Sequence, residues 1–289
     1  MVSGNDAAVA LCEFIAGDIS SFAAMMNQKA NDLGLTSTHF TSPHGLDQDD
    51  HYTTALELAL ITNYALKNET FRKIVNTQSC TITIDGNSKT LHNTNELLGY
   101  LDGVYGVKTG FTNGANRCLV TGCRRGNLDI ICVVLGCDTK KDRGLDSINL
   151  INYVFNNFVS VNIKDIINTN FCNWKSENNG IFNINKGYNQ NLDLYLDEDQ
   201  IPYETIAINN NSLNNISTPI NVTTTYDTPL EENTTIGTIK IFIDDEFLFS
   251  VNILNRNSIE RKSVFYYFST FIKNYLNYSF ASNLWFSKQ

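Results

Sequence analysis

The spacing of apolar positions changes period along the chain, and each change marks an expected element. Residues 7 to 16, Ala-Ala-Val-Ala-Leu-Cys-Glu-Phe-Ile-Ala, are apolar on nearly every side and stop at Gly17. That pattern predicts a helix buried in a core and closed by a glycine. A second helix follows, with Ser20 as its cap, Phe22, Met25, Met26 and Leu33 as its apolar face, and Gly34 at its end. After a loop, Thr41-Ser42-Pro43-His44-Gly45-Leu46-Asp47, the sequence Thr54-x-x-Glu57 reads as a capping box opening a third helix that runs to about Lys67.

From Ser79 the period becomes that of strands. Thr81 to Ile84, an Asp85-Gly86 turn and Lys89 to Leu91 predict a hairpin. Val104 to Thr112 is a further strand, and Cys118 to Thr121 and Leu128 to Gly136 are two more, joined through Arg125-Gly126-Asn127. Leu145, Ile148, Ile151, Phe155 and Phe158 then recur at helical spacing, as one face of a packing helix. Helices, a run of mostly antiparallel strands and a covering helix make an α/β or α+β domain over residues 1 to 159.

Beyond Phe158 the composition shifts to Asn, Asp and Thr, with short alternating segments such as Asn221 to Thr225 and Gly237 to Ile243 and a turn at Asp244-Asp245. A small all-β domain over 160 to 258 is expected. The last segment, 259 to 289, puts Val264, Phe268, Phe271, Ile272 and Tyr275 on one face, with Lys262, Lys273 and Asn277 elsewhere. Such a helix suits a membrane interface or a dock on its own protein, and the pattern leaves both open.

Composition narrows the partners. Of the 289 residues 42% are hydrophobic, enough for a core and too many for a disordered chain. Thirty acidic side chains against 21 basic ones give a net charge of −9 without a dense basic block, which argues against nucleic acid. Apolar runs such as Ile130 to Leu135 fall far short of the roughly 20 residues of a spanning helix. Met1 and Val2 lead straight into Ser3-Gly4-Asn5, so no export signal is read in the chain. Seven cysteines lack paired CxxC spacing, and Cys118, Cys123, Cys132 and Cys137, all on one expected hairpin, read as core filler rather than a bridge or metal site. His44, in Pro-His-Gly-Leu, reads as a structural histidine near a tight turn, as do His39, His51 and His92. No metal or other cofactor is expected.

Two clusters carry candidate chemistry. Ser3-Gly4-Asn5 precedes the first apolar helix, where Ser3 with Asp6 three residues later is also a helix-start signal. Gly106-Val107-Lys108-Thr109-Gly110-Phe111-Thr112 lies in a strand, where Lys108 and Gly110 share a face. There an ammonium can hold an anion while the missing side chain at Gly110 lets another chain approach. An exposed edge strand with a protective lysine is the plainer reading.

In this order the two clusters match the second and third motifs of the penicillin-recognising serine enzymes. With His39-Phe40-x-x-Pro43-His44-Gly45-Leu46-Asp47, Asn93-Thr94-Asn95-x-Leu97-Leu98 and Arg117-Cys118-Leu119-Val120, the chain resembles the serine-type D-alanyl-D-alanine carboxypeptidases, the low-molecular-mass penicillin-binding proteins. The resemblance is strongest over residues 1 to 158. It continues through Pro229-Leu230 and Ile236-Gly237-Thr238, similar to that family's β-rich C-terminal domain, and the tail resembles its membrane anchor.

The resemblance implies a penicillin-binding-protein/β-lactamase-like domain followed by a small all-β domain. The implied activity is removal of the terminal D-alanine from peptidoglycan stem peptides through a penicillin-sensitive acyl-enzyme. Ser3 would relay a proton to the leaving amine, and Asn5 would hydrogen-bond substrate or the catalytic lysine. Lys108 would supply positive potential for the substrate carboxylate. Thr109, which strand alternation points away from Lys108, would hydrogen-bond that carboxylate, and Arg143 would reach it too. The N–H of Phe111 would be an oxyanion-hole donor, a class of contact worth about 2.7–4 kcal/mol. Stem peptides, β-lactams and, through the tail, a membrane surface are the implied partners, in an extracytoplasmic, membrane-associated protein.

One motif departs from the pattern. The family's Ser-x-x-Lys carries the nucleophile and its base, and no serine in this chain has Lys three residues on. As given, the polypeptide is expected to be inactive and to be a fragment, incomplete at the N-terminus of the first domain. A non-catalytic wall- or membrane-binding product is the alternative. A class A β-lactamase relative shares the motif logic but is disfavoured by the appended β-domain.

Overall fold

The computed structural model describes residues 2–286, and the surroundings of side chains as far as Leu276. Met1 and residues 287–289, the end of the expected anchor, lie outside the described residues, as does the side chain of Asn277. The chain divides after Val159 into two compact units.

The first unit opens with helices α1 (Asn5–Ala16) and α2 (Ile19–Asp32). The first differs from expectation: its apolar residues are not sealed in a core. Cys12 is its one buried residue, while Leu11, Phe14 and Ile15 are exposed, Phe14 at 88%. An all-round apolar helix needs neighbours on all sides to be buried, and among the described residues α1 packs chiefly on α2. Nor is Ser20 the cap of α2. Asp18 holds that place, its carboxylate accepting the Ser21 N–H at 2.9 Å, because a carboxylate one residue before the first turn reaches that donor.

Thr54 does cap α3 (Ala55–Ala65), taking the Glu57 N–H at 3.2 Å. The expected return bond from Glu57 goes elsewhere: its buried carboxylate accepts the N–H groups of Thr36 and Ser37 and the hydroxyl of Thr38. Helix α4 (Glu69–Asn76), which the apolar spacing did not announce, is capped by Asn68 and buries Val75. The hairpin β1 (Ser79–Ile84) and β2 (Asn87–His92) turns at Asp85-Gly86, both at positive φ.

The core sheet is β3 (Val104–Thr112), β4 (Asn116–Arg125) and β5 (Leu128–Cys137), antiparallel in the order β3-β4-β5. β3 pairs with β4 alone, so its other edge is open among the described residues. Helix α5 (Lys140–Asn157) packs on β4 and β5. It buries Arg143, Gly144, Ser147 and Ile151 rather than Leu145, which is exposed, and Phe158 falls past its end in β6 (Phe158–Asn162). Ile151 packs with Cys123, Cys132 and Val134. Those two cysteines are core residues, and Cys118 and Cys137 are half-buried free thiols.

The second unit starts with a helix absent from the sequence reading, α6 (Ile163–Glu177), whose Ile163, Ile167 and Phe171 enter the core of a sheet. Among the short strands β7 (Asn183–Asn185), β8 (Leu194–Leu196), β9 (Thr205–Asn209), β10 (Ile216–Ser217), β11 (Ile220–Val222) and β12 (Thr225–Asp227), β7 and β12 form a parallel pair. β13 (Thr235–Ile243) and β14 (Glu246–Asn255) centre a sheet ordered β10-β13-β14-β8, with β11 also on β13. Ile239, Ile241, Val251 and Ile253 are wholly buried there. Helix α7 (Val264–Phe286) follows, with Val264, Phe265, Phe268, Phe271 and Tyr275 all exposed. No single helix among the described residues is long and apolar enough to cross a membrane.

Candidate active site

Ser3 does not start the helix. Gly4 is the N-cap of α1 and no side chain caps it. The Ser3 hydroxyl instead accepts the Lys108 ammonium at 2.8 Å, across 105 residues of sequence. The same ammonium donates to the Thr109 carbonyl at 2.6 Å, so Lys108 bridges the chain before α1 to β3. Partial withdrawal of that ammonium from water, with the like charge of Arg143 second, lowers its pKa.

The open edge of β3 is conditioned by the loop before it. The Asn93 amide donates to the carbonyls of Val75 and Thr77. Asn95, buried, donates to the Gly106 carbonyl at 2.9 Å and accepts the Leu97 N–H. Between them Thr94 shares a 2.6 Å hydrogen bond with Thr109, which lies off the Lys108 face as alternation requires. Gly106, at φ 156°, lies against Val75, where a Cβ would come within 3.0 Å of a methyl group. Gly110 is different: a Cβ there would meet only the Cys118 Cβ, at 3.7 Å. The fold leaves space above Gly110, and an added side chain would enter it.

Phe111 is half-exposed at the far end of β3, with the Arg117 guanidinium 4.4 Å from its ring centre. Asp47 ties the loop of residues 41–51 to the β3–β4 turn, accepting the Gly114 N–H at 2.9 Å, and bonds from Thr112 and Gly114 hold its pKa down. His44 Nδ1 accepts the Leu46 N–H at 3.2 Å, and His51 Nδ1 the Thr41 N–H at 3.1 Å. Both imidazoles therefore brace this loop. Burial lowers the pKa of His51, helped by His44 and His39.

Arg143, in the first turn of α5, is 3% exposed and donates through one Nη to both Glu96 oxygens at 2.6 Å. Its charge is felt by Lys108. Asn5 is exposed as the first residue of α1. The structure thus brings Ser3, Lys108 and Thr109 into direct contact, and Arg143 into electrostatic range of Lys108. Two pairings of the site were not legible in the sequence, Thr94 with Thr109 and Glu96 with Arg143. Glu96 occupies the one unassigned place in Asn93-Thr94-Asn95-x-Leu97-Leu98, and a carboxylate inside that run was the available signal.

Residues 1–139 match the family model of D-alanyl-D-alanine carboxypeptidase, and residues 177–261 that of the penicillin-binding protein 5 C-terminal domain. A D-alanyl-D-alanine carboxypeptidase of Bacillus subtilis, DacF, is 28% identical over 274 residues, 94% of this chain and 66% of the relative. A D-alanyl-D-alanine carboxypeptidase of a Streptomyces species is 38% identical over 165 residues, 53% of this chain and 57% of its own. Among solved structures, penicillin-binding protein 5 of Haemophilus influenzae superposes with a TM-score of 0.66 at 26% identity, over 90% of this chain and 72% of that one. Penicillin-binding protein 6B of Escherichia coli gives 0.62 at 25% identity, over 86% and 65%. The chain spans less than two thirds of the length of these two curated relatives.

Proposed function

We infer the function from one premise: this chain belongs to the low-molecular-mass penicillin-binding D-alanyl-D-alanine carboxypeptidase family. The whole protein is a serine hydrolase that removes the terminal D-alanine from peptidoglycan stem peptides and is acylated by β-lactams. The observation that carries the reading is the 2.8 Å contact of Lys108 with Ser3, which turns two distant motifs into one site.

In this reading the substrate lies along the open edge of β3, an unpaired strand edge that accepts an extended peptide. Its terminal carboxylate rests by Lys108 and Thr109, with Arg143 adding potential behind them. Gly110 leaves the backbone free for close approach. A nucleophilic serine from a Ser-x-x-Lys attacks the penultimate D-alanine carbonyl, and the Phe111 N–H stabilises the oxyanion. Ser3, hydrogen-bonded to an ammonium of lowered pKa, passes a proton to the departing D-alanine nitrogen, and Asn5 orients the substrate amide. Water then releases the shortened peptide.

We place the whole protein outside the cytoplasm, with α7 on a membrane surface. The exposed aromatic and aliphatic side chains from Val264 to Tyr275 support that placement. The test is a labelling experiment on the product of the complete reading frame, read upstream of codon 1 for a Ser-x-x-Lys. Expected are covalent labelling by a fluorescent penicillin and release of D-alanine from a stem pentapeptide, both reduced at least about 100-fold in Lys108→Ala. A complete product that neither labels nor releases D-alanine refutes the reading.

A further inference from the structure

The pairing of Glu96 with Arg143 has no part in the scheme above, and it stands beside the carboxylate site. The Arg143 side chain is 4% exposed and that of Glu96 40%. A guanidinium buried to that degree needs a carboxylate, and Glu96 supplies both oxygens at 2.6 Å. The Arg143 Nε, also buried, has no partner among the described residues. Glu96 itself is held in place by its neighbours: Asn95 grips the Gly106 carbonyl and Thr94 the Thr109 hydroxyl, so one loop carries the carboxylate and fixes β3. Two cations, Lys108 and Arg143, therefore act on one small region, close enough that the charge of Arg143 disfavours that of Lys108. One carboxylate opposes them.

We propose that Glu96 is a specificity-determining residue of the carboxylate site, its charge offsetting part of that of Arg143 so that Lys108 supplies the larger share of the positive potential at the ligand's terminal carboxylate. The proposal rests on the carboxypeptidase reading and adds to it the residue that sets affinity for the acid terminus. Glu96 touches no substrate in this account. It acts through Arg143.

The test uses the full chain and two probes, N-acetyl-D-alanyl-D-alanine and its C-terminal amide, titrated by NMR while the Lys108 ammonium is followed against pH. Glu96→Gln keeps an acceptor for Arg143 and removes the charge. It should bind the acid about fivefold more tightly than the parent, leave the amide unchanged, and let Lys108 titrate at lower pH because Arg143 is no longer opposed. Glu96→Asp, which keeps the charge, should match the parent. Equal acid affinity and an unshifted Lys108 in Glu96→Gln would overturn the proposal while leaving the carboxypeptidase reading intact. A gain of the same size in Glu96→Asp would overturn it by assigning the effect to geometry. If the parent and both variants all fail to bind the acid, the carboxylate reading of the site fails, and the proposal with it.

Discussion

The largest sheet of each unit uses the same strand geometry to opposite ends. In the C-terminal unit, alternation along β13 and β14 turns Ile239, Ile241, Val251 and Ile253 inward until none is exposed, with Ile239 opposite Val251 and Gly237 opposite Ile253. In β3 of the first unit the inward half, Val107, is buried against Leu66, Val75 and Val120, but the next residues are Lys108, Thr109, Gly110 and Phe111, and all but Thr109 are exposed. Here the side chains are fixed by polar ties: Lys108 to Ser3, Thr109 to Thr94, Gly106 to Asn95. A sheet held by burial is insensitive to which apolar group fills a place of given size, whereas a strand held by directed bonds depends on particular atoms.

The sharpest way to break that contrast is in the buried sheet. Ile253→Ala should cost about 2–5 kcal/mol, since it removes methylenes from a side chain with no exposed surface. Amide hydrogen exchange along β13 and β14 reads the loss directly. Protection that survives unchanged would mean that the sheet draws its stability from elsewhere.

The same contrast explains what the sequence disclosed. Strands were legible because alternation is a local signal: β3 was expected from Val104 to Thr112 and has those bounds. Helices with a one-sided apolar face and few apolar residues were not. α4 offers Phe71, Ile74 and Val75 over eight residues, and α6 lies in an Asn-rich stretch whose composition suggested strands. Burial was misjudged for α1 because periodicity reports which faces are apolar, not whether a neighbour covers them. In the site, Ser3 and Lys108 were found through motif order, while the pairings of Glu96 and Thr94 were not legible because their partners, Arg143 and Thr109, lie 47 and 15 residues away and follow no period.

A second test sits on the polar side of the comparison, at Glu57. Hydrogen bonds from Thr38, Ser37 and Thr36 hold its pKa below the usual glutamate range against the opposing effect of burial. A lowered folded-state pKa gives stability that is fully present above the unfolded value of about 4.3 and disappears as pH falls through the folded value. Glu57→Gln should therefore lower the melting temperature at neutral pH, and the difference from the parent should shrink to nothing in acid. A difference that is constant with pH would assign the loss to packing rather than to the charge.

The smallest effect on stability, and the most telling, is expected at Gly110. Its φ lies outside the left-handed region, and a Cβ would make one ordinary contact, with Cys118. Alanine is moreover favoured over glycine within a strand by about 0.5–1 kcal/mol, because glycine loses more freedom on folding. Gly110→Ala should leave the melting temperature unchanged or slightly raised, and the Lys108–Ser3 contact intact. If a peptide lies along β3 as proposed, the added methyl group would stand against it, and binding of N-acetyl-D-alanyl-D-alanine should fall sharply. Loss of stability without loss of binding would place the glycine among the residues that shape the strand. Loss of binding alone would show that, in β3, an absent side chain is the feature the ligand meets.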